Sequence, residues 1–186
     1  ATAAAPMYDP VFLLPFLTRF LARGDAATGA HARKFVESGA LAYVIASLSL
    51  AEQPLRHAAY AALGEFYDQI AQSEALRTKN MEIQDGQGER RWGGGRTAGI
   101  AVEFREQPQI LVLLRCLKNA ITAADQRLPS VATRFVTRVI PVLLRPDHVL
   151  YKRVCRFLLQ RPTLDLGDVP MFYALFNSGK SGGDGA

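Results

Sequence analysis

The chain has 186 residues, 49% apolar and 21% charged, which suits a single globular domain with a real core and excludes a wholly disordered chain. Lysine and arginine outnumber aspartate and glutamate by 22 to 17, giving a net charge of +5 and a pI near 9.5, a surplus that permits an anionic partner without demanding one. The longest uncharged stretch, Ser38–Ala51, has 14 residues, short of the roughly 18 needed for a membrane span, so no membrane partner is expected.

Nearly every segment has helical period and almost nothing alternates like a strand. Ala1–Met7 precede the ordered pattern and carry neither the basic nor the apolar region of a signal peptide. The absence of an initiator Met leads to the expectation that the chain is cut from something longer. Asp9-Pro10 places an N-cap before a proline at the first helical position, and a helix is predicted from there towards Arg23, disturbed at Pro15. A short helix over His31–Ser38 is closed by Gly39. Ala40–Leu50 is apolar on almost all sides, as a central helix is. Gln53-Pro54 opens a helix whose Leu55, Ala58, Ala59, Ala62, Leu63, Phe66 and Ile70 form one amphipathic stripe.

Between about Arg77 and Gly99 the pattern dissolves into glycines and charged residues, and a flexible insertion is expected. Helical patterns return over Phe104–Ile121, Pro129–Leu144 with a kink expected at Pro141, and Val149–Leu159 capped by Asp147. A last helix is predicted from Asp168 to Ser178, where Phe172, Tyr173 and Phe176 read as core, and a disordered tail over Gly179–Ala186. The expected fold is therefore all-α, with about eight helices in antiparallel pairs stacked as an armadillo- or HEAT-like repeat across residues 8–178. A compact bundle is the alternative, because no clean repeat period is visible.

Catalytic signatures are missing. Ala174–Ser181 loosely matches a phosphate loop, but a helical pattern precedes it where the chemistry needs a strand. His31, His57 and His148 have no Cys or carboxylate at ligand spacing and there is no nucleophile elbow. Cys116 and Cys155 read as buried thiols of a reducing compartment, without a disulfide framework. No enzyme activity, metal or cofactor is expected.

Charge is unevenly placed. Ile110–Thr163 holds ten basic residues against Asp125 and Asp147, so this stretch alone carries +8 and the remainder −3. Arg134, Arg138 and Arg145 fall within about 40° on a helical wheel, beside Val131, Phe135, Val139 and Val142. Arg153 and Arg156 repeat the arrangement beside Val154, Phe157 and Leu158. With Arg115, Lys118 and Lys152 these residues are the candidate RNA-binding set, since consecutive stacked helices would join them into a phosphate-facing ridge. An ordinary solvated face has the same pattern. Arg90, Arg91, Trp92 and Arg96 in the glycine-rich insertion could stack and pair with nucleic acid, or form a plain linker.

Several blocks are similar to one family. Tyr8–Pro15 (YDPVFLLP), Arg33–Gly39 (RKFVESG), Leu55–Tyr60 (LRHAAY), Tyr151–Leu159 (YKRVCRFLL) and Leu164–Phe176 (LDLGDVPMFYALF) together resemble the C-terminal domain of the nucleolar pre-ribosomal-associated family. The resemblance covers Tyr8–Ser178 apart from the insertion. It implies a non-enzymatic helical-repeat scaffold of the nucleolus, resident in early pre-60S large-subunit particles. The implied partners are large-subunit pre-rRNA, other assembly factors including a DEAD-box helicase, and the remainder of a longer parent chain. A protein-interaction module of armadillo type without RNA contact is the competing expectation.

Overall fold

The computed structural model describes residues 8–22, 29–86 and 104–160, which form seven α-helices and no strand. Helix α1 (Pro10–Ala22) starts where the Asp9 carboxylate accepts the Val11 N–H at 2.9 Å, the capping bond that an N-terminal Asp supplies. Its Leu14, Leu17 and Leu21 are buried. Helix α2 (Gly29–Glu37) buries Ala32, Phe35 and Val36 and gives way to α3 (Ala40–Ser47) at Gly39. Gly39 has φ +83°, the left-handed conformation that glycine adopts without a Cβ penalty.

Helix α4 (Gln53–Gly86) is the longest element at 34 residues. Its stripe of Ala59, Ala62, Leu63, Phe66 and Ile70 is buried throughout, and Phe66 stacks on Phe35 of α2 with ring centroids 5.0 Å apart. The helix continues to Gly86, ten residues into the segment from Arg77 expected to be irregular. Residues 77–85 contain no glycine or proline, so local helix propensity carries the backbone on after the apolar stripe has ended.

Helices α5 (Gln107–Ala120), α6 (Ser130–Leu143) and α7 (Tyr151–Gln160) complete the described fold. Pro141 lies inside α6, as Pro15 does in α1. Helix α7 begins two residues later than expected and Asp147 does not cap it. Instead His148 Nδ1 accepts the Leu150 N–H at 3.1 Å, and the His148 carbonyl accepts the Tyr151 N–H at 2.9 Å. The helix expected over 168–178 lies outside the described residues, as do the N-terminal extension, the tail and most of the insertion.

The α3–α4 pair lies against the α5–α6 pair, with α3 on α6 and α4 on α5; α1 and α2 each pack on α3 and α4, and α7 closes on α5 and α6. The fold is all-α, and the packing of helix pairs is that of a helical repeat. One continuous apolar core runs from Leu14 to Leu158. Polar side chains fasten the helices to one another at buried or half-buried points: Gln107 Nε2 donates to the Ile70 carbonyl at 2.9 Å, and Gln69 Nε2 to the Leu21 carbonyl at 2.7 Å. Among the described residues no helix is long and apolar enough to cross a membrane.

Phe66 fills the centre of this core. Phe66→Ala is expected to lower the unfolding free energy by about 3–5 kcal/mol, the range for emptying a buried aromatic site, measured by urea denaturation followed by circular dichroism.

Candidate nucleic-acid interface

The placement of α6 depends on the loop that leads into it, residues 121–129. Arg56, one turn into α4, donates from Nε to the Asp125 carbonyl at 3.1 Å and from Nη1 to the Leu50 and Ala51 carbonyls at 2.9 and 2.6 Å. Tyr60 donates its hydroxyl to the Gln126 carbonyl at 2.7 Å, and burial, then the nearby Asp125 carboxylate, push its pKa up. Both effects keep that phenol protonated as a donor. His57 Nδ1 lies 3.1 Å from both carboxylate oxygens of Asp125, whose φ of +52° turns the loop.

The return contacts come from the loop itself. Arg127 Nε donates to the Ser49 carbonyl, and the Leu128 N–H to the Leu48 carbonyl, each at 3.0 Å. The α3–α4 and α5–α6 connections are thus clasped together. Arg56, His57 and Tyr60 all belong to the LRHAAY block. Arg127, which counted towards the local charge of the sequence, is spent on holding the fold together.

All eight candidate cations are exposed, and among the described residues none forms an ion pair. The structure separates them into two groups. Arg134 and Arg138 lie on the outer face of α6, opposite the buried Val136, Ile140 and Leu143. Arg145 lies just beyond the helix end, in a turn whose N–H donates to the Val142 carbonyl at 3.2 Å, so it leaves the face in helical register. Lys152, Arg153 and Arg156 occupy the outer face of α7, opposite Leu158.

The seam between α6 and α7 is closed by Phe135 and Phe157, which meet edge to face with centroids 6.0 Å apart. Arg134 and Arg138 flank Phe135 in sequence, and Arg153 and Arg156 lie four residues and one residue before Phe157. Arg134, Arg138, Arg153 and Arg156 therefore lie beside one apolar seam on two packed helices, with Lys152 further round α7 and Arg145 just past the end of α6. Such a surface offers several donors to phosphate oxygens at once while its aromatics remain engaged with each other.

Lys118 is not part of that surface. Its Nζ sits 4.9 Å above the Tyr67 ring of α4, a cation–π contact that turns it towards α4. On the α5 wheel Lys118 lies roughly 120° from Val112, whereas Pro108, Gln109 and Val112 form the side of α5 that meets α7. Arg115, exposed one turn earlier, belongs to α5 rather than to the α6–α7 ridge.

Two further features escaped the sequence reading. A cavity of about 330 Å³ opens between α5, α6 and α7, lined by Val112, Leu143, Tyr151, Cys155, Leu158 and Leu159 among others. Cys155 is half-buried there, not fully enclosed as expected, whereas Cys116 is buried and its thiol pKa is pushed up by that burial. Neither thiol is in a disulfide. Among the described residues no three metal-ligating side chains come together. The loose phosphate-loop match, Trp92 with its arginines, and Phe172, Tyr173 and Phe176 lie outside the described residues.

A family model described as nucleolar pre-ribosomal-associated protein 1 matches residues 41–184, a span containing all eight candidate cations. A protein of Mus musculus named nucleolar pre-ribosomal-associated protein 1 is 30% identical over 172 residues, covering 92% of this chain and 6% of its own length. The Homo sapiens protein of the same name is 29% identical over 172 residues with the same coverage. The chain thus spans about 6% of the length of the curated relatives it matches. No solved structure matches it.

The clasp and the ridge differ in what they do for the fold. Tyr60→Phe, which removes one half-buried donor, is expected to lower stability by about 1 kcal/mol. Arg138→Glu on the solvated face is expected to leave the thermal midpoint essentially unchanged. Thermal melts of the two variants beside the parent chain check both.

Proposed function

The chain belongs to the nucleolar pre-ribosomal-associated protein 1 family, and on that basis we propose that it is a non-catalytic scaffold module of the nucleolus, acting in early pre-60S particles of large-subunit assembly. Its direct ligand in this reading is pre-rRNA. The observation that carries the proposal is the ridge of Arg134, Arg138, Arg145, Lys152, Arg153 and Arg156, exposed and without ion pairs among the described residues, across the Phe135–Phe157 seam. Arg115 and Lys118 would serve as outlying contacts from α5.

A row of basic side chains on two packed helices addresses phosphates, and contacts of that kind fix position with little base preference. Other early pre-60S assembly factors, a DEAD-box helicase among them, would be bound by the same scaffold or by the rest of a longer parent chain. A protein-interaction role without RNA is favoured by a different observation, the apolar cavity beside α7. Partners retained from nuclease-treated extract would support that second reading.

Binding of the chain to structured fragments of large-subunit precursor rRNA, measured across a salt series, tests the first reading. Affinity is expected to fall steeply as salt rises, because each neutralised phosphate releases a counterion. Arg134→Glu combined with Arg138→Glu should weaken binding at least tenfold and flatten the salt slope. Affinity that is insensitive to salt, or that survives the double reversal, would remove the ridge as the RNA site.

A further inference from the structure

Helix α1 is apolar on two separate faces. Leu14, Leu17 and Leu21 are buried against the body of the fold. On the other side Phe12, Phe16 and Phe20 follow at four-residue spacing and are 73%, 55% and 38% exposed, and Tyr8, two residues before the helix, is 70% exposed. The Phe12 and Phe16 rings stack with centroids 6.3 Å apart. At 100° per residue the Phe12/Phe16/Phe20 stripe lies roughly 130° from the buried one.

A helix that is apolar all round is normally enclosed. Helix α3, read from sequence as central for that reason, is enclosed by α1, α2, α4 and α6. Helix α1 packs chiefly on α4 and on α3, and its aromatic side has no covering layer among the described residues. Asp9 and Arg19 are the only charges between Tyr8 and Ala22, so the stripe suits an apolar surface rather than a charged ligand.

We propose that the Tyr8/Phe12/Phe16/Phe20 face is an interior face of a longer helical stack, covered by an apolar helix from another part of the same, longer polypeptide. Two arguments select that occupant. The exposed patch is on the order of 500 Å², below the roughly 800 Å² per partner typical of stable complexes between separate proteins. A helix joined covalently to the chain docks at high effective concentration and needs less area. The curated relatives supply such chain, since the matched region is 6% of their length. The proposal does not depend on RNA binding, because α1 lies on the α3–α4 side and the basic ridge on α6 and α7.

Amide hydrogen exchange of α1, in the 186-residue chain and in the full-length natural protein containing it, tests the proposal. The α1 amides should exchange at least tenfold more slowly in the full-length protein. Phe12→Asp with Phe16→Asp should abolish that slowing while leaving the melting midpoint of the 186-residue chain within about 2 °C, as surface substitutions do. Three results would overturn the proposal. One is equal exchange in both proteins. Another is a dimer of the 186-residue chain that the double substitution disperses, which would make a second copy the occupant. The third is protection already present in the 186-residue chain and lost on deletion of residues 161–186.

Discussion

The described fold depends on the burial of one stripe along α4. Ala59, Ala62, Leu63, Phe66 and Ile70 are each enclosed, and α1, α2, α3 and α5 all pack on this helix. The stripe mixes small and large side chains. Ala59 and Ala62 allow close approach of neighbouring backbones, while Phe66 fills the wider space opposite Phe35. Removal of such a group leaves a void that surrounding helices cannot fully close, which makes interior stability collective.

From that spine the basic surface is set in place by two kinds of contact. Apolar packing of α3 on α6 and the Phe135–Phe157 seam fix the separations of helices. Hydrogen bonds from Arg56, Tyr60 and Arg127 to main-chain carbonyls fix the path of the loop that delivers α6. The cations at the surface are not drawn into this work. Among the described residues, Arg56 and Arg127 tie loops, Arg33 pairs with Glu37, Lys118 rests on Tyr67, and the cations of α6 and α7 face outwards.

Much of the architecture was legible in the sequence because its determinants are local. Asp9-Pro10 announces the start of α1 and the capping bond is there; Gly39 marks the break between α2 and α3 and adopts positive φ; the amphipathic stripe over Leu55–Ile70 is the buried face of α4. Errors arose where local and distant effects separate. The end of α4 was placed too early because the loss of apolar periodicity was read as loss of helix, although a solvated helix needs only propensity to continue. The start of α7 was assigned to Asp147, whereas His148 competes successfully for the exposed N–H. At the site, periodicity placed Arg134 and Arg138 of α6 and Lys152, Arg153 and Arg156 of α7 on outer faces, but put Arg145 in the same row although it lies in a turn beyond the helix, and the turn of Lys118 towards Tyr67 needs the position of α4. The clasp was invisible because its acceptors are carbonyls, which every residue carries.

The clasp between the two loops also bears on how the molecule responds to load. Interdigitated apolar side chains already resist sliding of helix pairs past one another, and hydrogen bonds add a resistance that depends on direction. Four directional bonds cross between the two connections at one end, from Arg56 to Asp125, Tyr60 to Gln126, Arg127 to Ser49 and the Leu128 N–H to Leu48. The end of the fold where α3 meets α4 and α5 meets α6 is therefore held by bonds whose length and angle are set as well as by packing, so a displacement of one connection strains the other directly.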